Sequence, residues 1–165
     1  MTKHHWEGKV MDAECKLVSD GTVFRFCITD KGYDDGGYFW TDASIVVENW
    51  CFNYKTSGTC LEFSEVIHIR DKLSQLTKDD IATVETVEFI EPDIQMILKP
   101  KHDLNDDGKY TYIKEGHEFE DISAQFMFFP FLDGALTEQY YMLPLYRDDI
   151  EKLVEYLTYM IDKLN

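Results

Sequence analysis

The chain has 165 residues, and 16 Lys and Arg stand against 32 Asp and Glu, a formal charge of −16 with the five histidines neutral. At 44% hydrophobic and 15% aromatic, it is too apolar to be disordered and long enough to build a core without disulfide or metal staples. Direct nucleic-acid binding is excluded, because it needs lysine and arginine to displace counterions from phosphate and this chain would repel it. No run reaches the roughly 18 apolar residues of a membrane-spanning helix.

The amino-terminal stretch Met1 to Lys16 carries charges where a secretory signal would be apolar, so the chain is read as cytoplasmic. Its first fifteen or so residues are expected to fray. The first element is a strand at Val23 to Ile28, with Phe24, Phe26 and Ile28 on one side and Arg25 on the other. Asp30 to Gly37 is rich in turn residues and ends it. Ala43 to Tyr54 is apolar at both parities, which predicts a central strand covered on both faces. After a turn at Thr56-Ser57-Gly58, a further strand covers Thr59 to Phe63.

The period then changes from two to 3.6 residues. Ser64 is placed as a helix cap and Glu65 at the positive end of the dipole, followed by an apolar stripe of Val66, Ile69, Leu73 and Leu76. Strands follow at Val84 to Ile90 and Ile94 to Leu98, separated by Pro92, which cannot donate a ladder hydrogen bond. Asn105 to Gly108 is a turn leading into the alternating Tyr110 to Ile113. Phe126 to Leu132 is the most apolar segment and reads as a buried strand ending near Pro130, with another strand at Gln139 to Leu145.

Asp148 or Asp149 caps the last helix, whose apolar positions are Ile150, Leu153, Val154, Leu157, Met160, Ile161 and Leu164. So one-sided a helix must lie on something apolar, and the sheet supplies it. The predicted fold is a single α+β domain over residues 1–165. An antiparallel β-meander is packed by two amphipathic helices, the carboxy-terminal one longest.

Motifs for chemistry are sparse. Asp103-Leu104-Asn105-Asp106-Asp107-Gly108 matches the start of an EF-hand loop. Its twelfth position, however, is Lys114 where calcium needs a bidentate glutamate, so an acidic hairpin turn is the reading adopted. His4, His5, His68, His102 and His117 fall in no zinc spacing, and no phosphate loop or nucleophile elbow is present. No cofactor and no catalytic residue is expected. Cys15, Cys27, Cys51 and Cys60 form no Cys-x-x-Cys pair. Reduced thiols are expected, with Cys27 and Cys51 buried in strand-like runs. The aromatics Trp50, Tyr54, Tyr110, Tyr112, Tyr140 and Tyr141 are read as core or cross-strand pairs, with a binding face as the alternative.

Charge is the most informative feature, because it is uneven. Asp79, Asp80, Glu85, Glu88, Glu91 and Asp93 occur with no basic residue among them. Asp103, Asp106, Asp107, Glu115, Glu118, Glu120 and Asp121 are opposed only by Lys109 and Lys114. Acidic patches steer association with basic partners, so these carboxylates, Asp93 apart, are the candidate partner-binding residues.

Several stretches in order carry a resemblance. The Asn49-Trp50 pair within Ala43 to Tyr54 leads to Cys60-Leu61-Glu62-Phe63 and the helix Ser64-Glu65-Val66 through Leu76. Glu88-Phe89-Ile90-Glu91-Pro92-Asp93-Ile94 and the amphipathic helix after Arg147-Asp148-Asp149 complete the order. This succession resembles the WapI-type immunity proteins of bacteria over roughly Ala43 to Asn165. The first 40 residues match nothing named in that family, and the Asp103 to Asp121 segment is longer than the family leads one to expect. The resemblance implies a small antitoxin-like protein without catalysis. It would neutralise the carboxy-terminal toxin domain of a large surface-delivered polypeptide, often a nuclease acting on tRNA. It implies no specific contact residues. An acidic inhibitor of a basic nuclease groove fits the charge. Two other readings stay open, an interaction module with an acidic edge and a hydrolase built on paired carboxylates.

Overall fold

A computed structural model describes residues 14–19, 21–36, 38–56, 60–101 and 120–165. Among the described residues, two larger antiparallel sheets, a two-stranded hairpin and two helices make an α+β architecture. The first sheet holds β1 (Glu14–Ser19), β2 (Thr22–Asp35), β3 (Tyr38–Glu48) and β4 (Asn53–Lys55) in that order, and the two-residue β5 (Leu61–Glu62) pairs with the start of β3. The helix α1 (Phe63–Thr77) follows. The second sheet has the order β11-β8-β7-β6, from β6 (Glu85–Glu88), β7 (Ile94–Lys99), β8 (Ser123–Phe128) and β11 (Tyr141–Tyr146). Between β8 and β11, a small hairpin pairs β9 (Phe131–Leu132) with β10 (Ala135–Leu136). The chain ends in the longest helix, α2 (Arg147–Leu164).

The expected single meander is thus two sheets. The expected strand from Ala43 to Tyr54 is broken at Glu48 because Asn49 makes a turn there. The Asn49 Oδ1 accepts the amides of Cys51 (3.0 Å) and Phe52 (2.8 Å), and the Asn49 amide donates to the Phe52 carbonyl (2.9 Å). A side chain that mimics a backbone turn reverses the chain without glycine. The stretch Asp30 to Gly37, expected as a turn, is mostly strand. β2 continues to Asp35 by way of two register shifts, between Ile28 and Asp30 and between Asp30 and Tyr33. Irregularities of this kind let a strand carry extra residues and bend. Glu14–Ser19, partly within the stretch expected to fray, pairs in full with β2. The expected strand at Tyr110 to Ile113 lies outside the described residues.

Alternation in the strands fixes which faces are buried. Phe24, Phe26 and Ile28 of β2 lie beside Ala43, Ile45 and Val47 of β3, all nearly inaccessible. Met96 and Leu98 of β7, Phe126 and Phe128 of β8, and Leu143 and Leu145 of β11 form the inner face of the second sheet. The two inner faces meet where the Phe24 ring stacks on Phe126 at 5.7 Å. Phe52 on Tyr141 (4.5 Å) and Tyr54 against Phe128 (4.9 Å) extend the seam to one edge. Offset aromatic pairs of this kind add roughly 1 kcal/mol each beyond their buried area.

The helices pack on one another and close the core. α1 buries Val66, Ile69, Leu73 and Leu76, the stripe read from sequence, and adds Phe63. Its cap is Glu62, two residues before the expected Ser64. The Glu65 carboxylate accepts the Glu62 amide at 2.8 Å, and its other oxygen accepts the Ile90 amide at 2.7 Å. One acidic side chain therefore satisfies an otherwise unpaired helix donor and ties α1 to the loop after β6. α2 buries Ile150, Leu153, Leu157, Met160 and Ile161 as expected, while Val154 and Leu164 are only partly covered. Tyr156, not foreseen as core, is buried, and its hydroxyl accepts the Ile28 amide at 2.8 Å.

The thiols are distributed differently from the expectation. Cys15 and Cys60 are buried, Cys27 is half-buried and Cys51 is exposed, and all four are free. Burial pushes the Cys15 and Cys60 thiols up to about 11, so both are protonated and unreactive near neutral pH. Cys51 is exposed because it lies in the Asn49 turn, not in a strand.

Candidate functional site: an acidic, apolar end of the sandwich

The described candidate carboxylates fall at two opposite ends of the second sheet, not on one surface. Asp79, Asp80, Glu85, Glu120 and Asp121 lie at the end where β6 begins and β7 ends. Glu88 and Glu91, together with Asp93 that was set apart from the candidates, lie at the other end, where β6 finishes and β7 begins. Asp103, Asp106, Asp107, Glu115 and Glu118 lie outside the described residues, as does the EF-hand-like turn.

The first end is largely neutralised by local pairing. Asp79 bonds Lys101 at 2.6 Å, Glu85 bonds Lys72 of α1 at 2.6 Å, and Asp121 meets Arg147 through two bonds of 2.7 Å. Only Asp80 and Glu120 of the candidates there have no cation among the described residues. The forked Arg147 contact, helped by the Ile122 amide, holds the Asp121 carboxyl down to about 2. A carboxylate depressed in the folded state stabilises the fold above its ordinary value near 4, and that contribution is lost as pH falls through about 2. Asp121→Asn is therefore expected to flatten the stability profile between about pH 4 and pH 2. Carboxyl NMR titration of the wild-type chain, with a midpoint near 2 for Asp121, checks the cause.

The second end is built differently. Here the two sheets are stitched together by polar groups. Asn49 Nδ2 donates to the Tyr141 hydroxyl at 2.7 Å, and Thr22 Oγ1 lies 3.0 Å from the same oxygen. The Tyr54 hydroxyl donates to Asp93 Oδ2 at 2.8 Å, and the Phe129 amide donates to the Asp93 carbonyl at 2.8 Å. Burial and the neighbouring Asp93 carboxylate push the Tyr54 phenol well above its ordinary range, so it remains a hydrogen-bond donor. Asp93 is thus a structural tie between β4 and the start of β7, and its Oδ1 is buried with no hydrogen-bond partner among the described residues.

On this stitched frame, apolar side chains project outward. Trp50, at the tip of the Asn49 turn, is 95% exposed. Ile90, Phe131, Leu132, Leu136, Tyr140 and Met142 are exposed around the same end. Seven of the eleven large exposed hydrophobics among the described residues therefore gather here, too many for the scattering normal on a surface. Glu88, Glu91, Asp133 and Glu138 lie among them, and none has a cationic partner among the described residues. A groove of about 480 Å³ runs between Tyr54, Lys55, Glu91, Asp93, Pro130 and Phe131. Lys55 is the one described cation lining it.

Glu88 and Glu91, read from the sequence as partner-binding candidates, lie at this end, where Trp50 and Tyr140, read as core or cross-strand aromatics with a binding face as the alternative, are exposed. The apolar run Phe126 to Leu132 was read as a buried strand ending near Pro130. In the structure Pro130 ends the buried run, and the next two residues stand out in the hairpin. The signal that could have shown this is Asp133-Gly134 between two short apolar pairs, the pattern of a tight hairpin.

Among the described residues, no three His, Cys, Asp or Glu converge on a common metal position, and no helix is long and apolar enough to cross a membrane. No curated protein matches the chain. A family model does match, over residues 16–165. The match begins at Lys16 and so includes most of β1 and all of β2, which the resemblance read from the sequence left out. Its extent over nearly the whole chain leaves no doubt that the chain belongs to the immunity protein WapI-like family.

Proposed function

We propose that this chain is a non-catalytic immunity protein that binds and neutralises a basic toxin domain, a nuclease in class. It does so through the acidic, apolar end of its sandwich. The observation that carries this reading is that Trp50, Phe131, Leu132 and Tyr140 are exposed at the same end as carboxylates that form no ion pair among the described residues. Apolar anchors inside a charged rim are the anatomy of a specific protein interface. The rim carboxylates attract lysine and arginine, and a nuclease must display these cations to hold its phosphate substrate. The chain is proposed to work as one domain in the cytoplasm, with no cofactor and no direct contact to nucleic acid.

Co-expression with a candidate toxin domain encoded next to this chain tests the proposal. Growth should be rescued, and a one-to-one complex should form whose association slows as salt rises. Glu88→Lys combined with Glu91→Lys should slow association by about tenfold or more at low salt while leaving thermal unfolding unchanged. Absence of rescue and of any complex would overturn the reading.

A further inference from the structure

We propose that the β9–β10 hairpin is a preformed wedge that enters a cleft between cationic side chains on the toxin domain. This rests on the immunity reading and specifies how the partner is held.

The hairpin is built to keep its shape without help from the core. Its two central residues, Asp133 (φ 53) and Gly134 (φ 78), both take left-handed backbone conformations. That is the signature of the tight two-residue turn whose twist matches paired strands. Leu132 pairs with Ala135 and Phe131 with Leu136. At the base, the Thr137 amide and hydroxyl both donate to the Pro130 carbonyl, at 3.2 and 2.8 Å. Little conformational freedom is left to lose when a partner closes around it.

Its apolar side chains stay exposed in the described fold. Residues opposite one another in an antiparallel pair share a side. Phe131 and Leu136 therefore occupy one side and Leu132 and Ala135 the other. Both sides are apolar and both are exposed, Phe131 by 51% and Leu132 by 61%. A hairpin lying flat on a partner would bury one side and leave the other in water. Only a cleft covers both, so the shape of the apolar surface specifies insertion.

The occupant follows from charge. Asp133 at the tip and Glu138 just past the base lack cationic partners among the described residues, and Glu88 and Glu91 lie at the same end. A cleft flanked by lysine and arginine would meet these carboxylates as the apolar sides enter. That is the form of a groove that holds a polyanion.

The test uses the full chain and the candidate toxin domain encoded next to it, with binding followed in real time over a range of salt. Phe131→Ala, Leu132→Ala and Leu136→Ala should each speed dissociation by roughly tenfold or more, since buried anchors dominate interface energetics and act mainly on residence time. The association rate, its salt dependence and the thermal midpoint should stay at wild-type values. Gly134→Ala removes no contact but strains the turn, and should speed dissociation several-fold. Wild-type dissociation in all four variants of a chain that still binds would overturn the wedge and leave the immunity reading standing. No binding by the wild-type chain would overturn the immunity reading, and the wedge with it. A toxin-free dimer that dissociates in the Leu132→Ala variant would reassign the hairpin to self-association and overturn the wedge.

Discussion

Phe126→Ala is expected to destabilise the fold by about 3–5 kcal/mol. The ring is fully buried and stacks on Phe24 of the opposite sheet and on Phe128 of its own strand, with centroids 5.7 and 6.2 Å away. Truncation removes the contact between the sheets and leaves a cavity lined by groups held in two separate ladders, which cannot collapse inward without breaking register. With total stability of roughly 5–15 kcal/mol for a chain of this kind, that is a large share. Urea unfolding should show the midpoint falling with an unchanged slope, and a melting temperature lower by about 10 °C or more. A loss under about 1 kcal/mol would mean that the sheets do not share a core at this point.

Gly32→Ala is expected to cost about 2–5 kcal/mol, by a different mechanism. Gly32 sits within the second register shift of β2, at φ +98, a conformation that disfavours any side chain. An added Cβ would collide with the Trp40 carbonyl oxygen and stand 2.5 Å from its carbon. Those are backbone atoms of the paired strand, so relief requires the β2–β3 ladder to open. Gly36→Ala is the control. Its φ of +66 carries similar backbone strain, but nothing lies within 4 Å of the added atom. The difference between the two variants in urea unfolding isolates the clash. Equal losses would show that the close approach to Trp40 carries no energetic weight.

The legible parts of this protein were those that a local period can encode. Val66, Ile69, Leu73 and Leu76 predicted the buried face of α1, and five of the expected α2 positions are fully covered. Helix spacing is set by the backbone, so a one-sided stripe declares the face before any partner is known. Boundaries were less legible. The sequence reading placed the first helix cap at Ser64, but Glu65 reaches back to Glu62 and across to Ile90. The second of those bonds depends on a loop 25 residues further along the chain. Asn49 was read as a strand residue because its neighbours are β-branched and aromatic. Its turn-making side chain is held in place by Tyr141 of the other sheet.

The same contrast applies to the proposed binding end. Composition alone established a strongly acidic chain, because charge is a sum over residues and needs no coordinates. It could not say which carboxylates remain available. Asp79, Glu85 and Asp121 are met by Lys101, Lys72 and Arg147, residues 22, 13 and 26 positions away in the chain. Glu88 and Glu91 form no ion pair among the described residues, and folding sets them at the end of the sheet where Trp50, Phe131 and Leu132 are exposed. Periodicity and net charge follow from the order of residues. Counter-ion pairing and the collection of exposed apolar side chains at one end depend on which strands become neighbours. Long-range packing decides that, and it also makes Phe126 core and Phe131 surface within one apolar run.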